Sequence, residues 1–186
     1  MKDYIVYNDL HIYGPHVIKG ISLLDGGKNS IYLGDNIDIN HCKKKRIGEA
    51  MEGLRLAKDI FKRRFVPGNH EIDAVPGNRF YIDQGIYFTH GDYEFWGKKK
   101  RNDYVTTATP GLGFWKRRFV KLYDILRRLR SDKVSDEFIE RAVAVCKTQG
   151  CHTYVCGHRH PRKKIDFVHG KIRIIVLPRG RNELAL

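Results

Sequence analysis

The sequence predicts an α/β domain. Three observations point there: short apolar runs bounded by glycine or proline, a segment with helical spacing between two of them, and Asp, Asn or His wherever a run stops. At 186 residues the chain suits one domain over 1–186, able to bury roughly 70% of its unfolded surface without disulfide staples. No apolar run approaches the ~20 residues of a membrane span, and the N-terminus lacks a signal-peptide pattern, so a cytoplasmic protein is expected. Cys42, Cys146, Cys151 and Cys156 form no CxxC pair. They read as reduced thiols, and the even spacing of the last three lacks the close ligand pairs of zinc sites.

Tyr4 to Asn8 is the first expected strand, closed by Asp9-Leu10-His11. Residues two apart on a strand share a side, so Asp9 and His11 can address one point. Ile12 to Gly27, with Gly14-Pro15 and Gly26-Gly27, reads as an irregular loop. Ile31-Tyr32-Leu33 is a short buried strand, ended by a turn at Gly34 that few other residues could make. Asp35 and Asp38 follow on the emerging loop, where open α/β sheets place ligands; a plain loop with an Asp helix cap is the other reading. Cys42 to Arg46 reads as basic loop. Ile47, Ala50, Met51, Leu54, Ala57 and Phe61 mark one face of an amphipathic helix that packs on the core.

Arg64 to Pro67 is a third short strand, ending in Gly68-Asn69-His70-Glu71. Arg79–Asp83 and Ile86–Thr89 form a hairpin across Gln84-Gly85, and its second arm ends in His90-Gly91-Asp92. Thr153–Cys156 is another buried strand, ending in Gly157-His158-Arg159-His160. A terminal hairpin turns at His169-Gly170. Of nine histidines, five (His11, His70, His90, His158 and His160) stand at strand ends, which argues for one shared site. Imidazoles, carboxylates and an amide oxygen without a thiolate suit Mn²⁺, Fe²⁺, Zn²⁺ or Co²⁺. The donors outnumber the needs of one tetrahedral ion, so a pair of metals is expected.

The ordered series Asp-x-His, Gly-Asp, Gly-Asn-His-Glu, His-Gly-Asp and Gly-His-x-His, running from Asp9 to His160, resembles the signature of the calcineurin-like metallophosphoesterases. The resemblance implies a four-layer α/β/β/α sandwich of two mixed sheets, with the site on loops at their carboxyl ends. It implies that Asp9, His11 and His160 bind one metal, that Asn69, His90 and His158 bind a second, and that Asp35 bridges them. Mn²⁺ is the expected ion. A hydroxide shared by the metals would attack phosphorus. His70 would protonate or hydrogen-bond the departing oxygen, oriented by Asp38, for which a helix cap is the competing role. Ile39 stands where protein serine/threonine phosphatases of this superfamily carry Arg, which argues against a phosphoprotein substrate. The layout is nearest to the UDP-2,3-diacylglucosamine pyrophosphohydrolase branch. That branch usually has Arg at the position of His70, and Pro178-Arg179-Gly180-Arg181 departs from the ending common in relatives.

The formal net charge is +14, which favours an anionic partner. Residues 93–133 hold 12 Lys or Arg against four acids, a net +8. Within a basic helical insertion over 93–150, Phe119, Leu122, Tyr123, Leu126 and Leu129 fall on one helix face. Arg117, Arg118, Arg127 and Arg128 lie off that face, as a lid or wall gripping substrate phosphates or as a solvated surface. Phe95, Trp96, Phe114 and Trp115 could stack bases or belong to the core. Ser135 is the expected N-cap of a second helix. The expected substrate is a phosphorylated small molecule or nucleotide. A nucleic-acid partner, peripheral membrane contact for a lipid pyrophosphohydrolase, and a non-catalytic nucleic-acid-binding module are the competing expectations.

Overall fold

A computed structural model describes residues 2–12, 16–39, 44–71, 78–97 and 134–186. In chain order the elements are β1 (Asp3–Asn8), α1 (Val17–Ser22), β2 (Ser30–Leu33), α2 (Ile47–Phe61), β3 (Phe65–Val66), β4 (Phe80–Asp83), β5 (Ile86–Thr89), a helical segment α3 over 92–97, α4 (Asp136–Gln149), β6 (Thr153–Cys156), β7 (Ile165–His169), β8 (Ile172–Val176) and β9 (Gly180–Ala185).

Two mixed sheets result. One has the order β3-β2-β1-β9, the other β4-β5-β6-β8-β7. In the first, β1, β2 and β3 run parallel and β9 is antiparallel to β1. In the second, β5, β6 and β8 are parallel, with β4 and β7 antiparallel at the edges. The alternation of side chains along each strand divides them among three apolar layers. Val6, Ile31 and Leu33 of the first sheet meet Phe88, Val155 and Ile175 of the second between the sheets. Tyr7 and Tyr32 point the other way, onto α1 and α2. Tyr87, Tyr154, Ile174 and Val176 point outward under α4, against Phe138, Ala142 and Cys146. Helices outside, two sheets inside: the four-layer α/β sandwich is the observed fold, and strands buried on both faces explain the near-continuous apolar runs.

Both longer helices form where their spacing predicts, and α4 also where its cap predicts. α4 starts at Ser135, whose side chain accepts a hydrogen bond from the Phe138 amide, and ends at Gly150 with φ 66°. Two elements depart from the sequence reading. The stretch expected to be irregular from 12 to 27 contains α1, a helix too short for periodicity to reveal. Its Val17 packs so closely on α2 that a Cβ at Gly53 would lie 2.4 Å from Val17 Cγ1. The polar tail forms β9, an edge strand paired with β1 over Asp3–Asn8; its exposed, charged face gave no apolar alternation to read. Lys44–Arg46, expected to be loop, forms one 3₁₀ turn. The lid helix with Arg117, Arg118, Arg127 and Arg128, and the Gly111–Trp115 approach, lie outside the described residues. Among the described residues no helix is long and apolar enough to cross a membrane.

Candidate metal centre

β1, β2, β3, β5 and β6 all deliver their carboxyl ends to one rim. The backbone there is unusual. Among the described residues seven non-glycine positions have positive φ, and five of them are Asp9 (53°), His11 (51°), Asp35 (50°), His158 (65°) and His160 (49°). Each left-handed residue costs about 1–2 kcal/mol, so surrounding structure must impose it. Hydrogen bonds between the loops do so: the Asp9 and His11 amides donate to Gly34 O and Asp35 O, both at 3.0 Å, and the Ile12 amide donates to Asn36 O at 2.7 Å. The motif glycines make room for the crowding. A Cβ at Gly157 would sit 2.5 Å from Asp9 Oδ2, and one at Gly68 would sit 2.1 Å from Asp35 Oδ1.

The side chains gather in three overlapping groups, Asp9 with His11 and His160, His11 with Asp38 and His70, and Asp35 with His90 and His158. His160 Nε2 lies 2.8 Å from Asp9 Oδ1 and 3.5 Å from His11 Nε2. His90 Nε2 lies 3.1 Å from Asn69 Oδ1, 3.1 Å from His158 Nδ1 and 3.2 Å from Asp35 Oδ2. Donor atoms of Asp9, His11 and His160 fall within 4.8 Å of one another, as do those of Asp35, His90 and His158. Supporting contacts fix the ring faces. His90 Nδ1 meets Leu33 O at 3.2 Å, so that nitrogen carries the proton and Nε2 faces the cluster. Asp38 Oδ1 lies 2.9 Å from His70 Nδ1, in hydrogen-bond range, and its Oδ2 lies 3.6 Å from His11 Nδ1.

Burial opposes the charge on Asp9, yet His160, His90 and His11 hold it well below the usual carboxylate range. Burial works the same way on Asp35, and His90 and His70 overcome it. Conversely, burial lowers His70 and His90, but the facing carboxylates prevail. Asp35 and Asp38 push His70 up to about 10, and Asp35 and Asp9 push His90 up to about 10. A histidine raised on folding stabilises the fold below its ordinary 6.5 and loses that contribution as pH rises toward the folded value. In chelator the Tm is therefore expected to fall from about pH 6.5 to 7.5, below the range where most thiols and phenols titrate. Thermal scans in EDTA check this; a flat or rising Tm would contradict it.

Buried carboxylates facing imidazoles and an amide oxygen, with no thiolate among them, suit a pair of divalent cations. The residues present fit that requirement.

Sequence reasoning missed what holds this rim together. Glu71, almost fully buried, accepts hydrogen bonds from the Asp35 amide (3.1 Å), the Ile37 amide (2.8 Å), the Gly68 amide (3.0 Å) and the Tyr32 hydroxyl. One carboxylate thus ties the loop after β2 to the loop after β3. Asn8 Nδ2 donates to Asp9 Oδ2 at 2.8 Å, and Asn36 Nδ2 to Tyr7 O at 2.8 Å. The signal was indirect: loop amides at a buried rim need acceptors. Of the aromatics, Phe95 stacks on Phe138 at 3.9 Å and belongs to the core, whereas Trp96 stands edge-on to His158 at 4.5 Å. Cys146, Cys151 and Cys156 are buried and free.

No family model and no curated protein matches the chain. Among solved structures it is similar to a cold-active protein-tyrosine phosphatase of a psychrophilic Shewanella species. Identity is 14% over 95% of this chain and 70% of that one, with a TM-score of 0.43. A second structure of a cold-active protein tyrosine phosphatase gives 11% identity over 95% and 69%, again with a TM-score of 0.43. Likeness at that level bears on neither activity nor substrate.

Proposed function

We propose that this chain is a two-metal phosphoester hydrolase of the calcineurin-like metallophosphoesterase kind, acting on an anionic phosphoester or phosphoanhydride. Asp9, His11 and His160 would hold one cation, Asn69, His90 and His158 the other, and Asp35 would be shared. Mn²⁺ suits this mixture of nitrogen and oxygen donors. When bound, such ions neutralise phosphoryl charge and lower the pKa of water. The chain's own contribution is orientation and proton transfer. Asp38 fixes His70 through Nδ1 and leaves its Nε2 on the Asp35 side of the site. His70 is the group to donate a proton to the departing oxygen, a role worth about 10²–10⁴ in rate. The +14 charge favours a nucleotide or nucleic-acid-like substrate.

One observation supports this assignment above the others: left-handed backbone, scarce elsewhere among the described residues, is concentrated on Asp9, His11, Asp35, His158 and His160. Such strain is kept where the positions of side chains matter. The test is hydrolysis of p-nitrophenyl phosphate and its bis-ester by EDTA-stripped protein with and without Mn²⁺. Turnover only with the metal, at two Mn²⁺ per chain, is expected. Tight, salt-dependent polynucleotide binding without turnover would reject the enzyme in favour of a binding module.

A further inference from the structure

The turn entering β9 gives the rim a cation that the motifs do not contain. Arg179 Nη2 donates to Leu10 O at 2.5 Å, and Leu10 lies between the candidate ligands Asp9 and His11. The backbone on either side of Arg179 is bracketed by amides. Asn182 Nδ2 donates to Pro178 O at 3.0 Å, to Gly180 O at 3.1 Å and to Asn8 Oδ1 at 2.8 Å. Asn8 Nδ2, besides holding Asp9, reaches Pro178 O at 3.2 Å. The turn that presents Arg179 and the carboxylate of Asp9 are therefore fixed by the same side chain.

Arg179 is exposed, and a guanidinium has five N–H donors. The Leu10 carbonyl takes one and fixes the fork beside the Asp9–His11 loop. A phosphoryl group in transfer spreads its charge over three oxygens, and a planar guanidinium matches two of them at once. Resting on the function proposed above, we propose that Arg179 is a substrate-binding residue that grips a phosphoryl oxygen on the Asp9–His11 side of the site. Its hold on Leu10 keeps the side chain ordered before substrate arrives, which reduces the entropy lost on binding.

The test compares wild type with Arg179→Ala and Arg179→Lys. Mn²⁺ affinity is measured by calorimetry, then inorganic phosphate affinity in the Mn²⁺-loaded proteins, with Tm as the check on folding. Expected is a loss of about 10- to 100-fold in phosphate affinity for Arg179→Ala, the scale of one charge-assisted hydrogen-bond pair. Arg179→Lys is expected to fall between, with Mn²⁺ affinity and Tm unchanged in both. Unchanged phosphate affinity in Arg179→Ala would overturn the proposal. So would a parallel drop in Mn²⁺ affinity, which would make Arg179 only a support for the Asp9–His11 loop. If Arg179→Ala fails to fold, the Arg179→Lys result decides by the same two criteria. A wild-type protein that binds no Mn²⁺ would instead bring down the metal assignment, and this inference with it.

Discussion

Asp35→Asn is expected to lower Mn²⁺-dependent hydrolysis of p-nitrophenyl phosphate by about 10²–10⁴-fold in kcat while leaving the fold intact. That range corresponds to roughly 3–5 kcal/mol of transition-state stabilisation, the scale expected when the carboxylate proposed to be shared by both cations is lost. The residue is almost fully buried. Its Oδ1 accepts the His70 amide at 2.8 Å, and its Oδ2 faces His90 Nε2 at 3.2 Å and His70 Nε2 at 3.7 Å. An amide of the same shape cannot serve both oxygens. Either its NH₂ opposes the His70 N–H, or it turns toward the imidazoles and the bound cations; both orientations lose an acceptor. Circular dichroism should match wild type, and Mn²⁺ stoichiometry should drop below two. Turnover within about threefold of wild type at equal metal occupancy would remove Asp35 from the bridging role.

Gly68→Ala is expected to damage stability and activity together. A Cβ there would lie 2.1 Å from Asp35 Oδ1 and 2.5 Å from the Asp35 backbone nitrogen. The second contact is with main chain that the Glu71 carboxylate already holds, so it cannot give way cheaply. Overpacking of this kind costs about 1–3 kcal/mol, a fall of several degrees in Tm for a chain of this size. Displacing the Asp35 loop should also cost activity on the scale of Asp35→Asn. Gly48, in the first turn of α2 and with open space for 4 Å around the point where a Cβ would stand, is the control. Gly48→Ala should leave turnover unchanged and raise stability by roughly 0.5–1 kcal/mol. Calorimetry and the p-nitrophenyl phosphate assay separate these outcomes; a Gly68→Ala protein as stable and active as wild type would refute the crowding between Gly68 and Asp35.

The ligand-type side chains were legible in the sequence because strand ends impose their own grammar. A buried β-run must stop at a residue that can turn, and Gly34, Gly68 and Gly157 mark three such stops beside Asp35, Asn69 and His158. α2 and α4 were legible for related reasons, an apolar face at helical spacing and an N-cap at Ser135. The parts that hold the rim were not. Glu71 reaches the amides of Asp35 and Ile37, and Asn8 reaches Pro178 and Asn182, all distant in sequence, and no local pattern records those partnerships. Arg179 reads as one more basic residue in a basic chain until β9 brings it beside Leu10. The two unforeseen elements failed differently: α1 is too short for a period, and β9 is too polar.

The pairing of β1 with β9 also bears on how the chain acquires its site. Asp3–Asn8 are synthesised more than 170 residues ahead of the strand that completes their sheet, and with that strand comes Asn182, which braces Asn8 and hence Asp9. Contacts so distant in sequence form slowly. A nascent chain that has already folded α2 and the β4–β5 hairpin would still carry an open edge on β1 and an unbraced first ligand until residue 185 clears the ribosome. The geometry around Asp9 would then be completed only once β9 has been made.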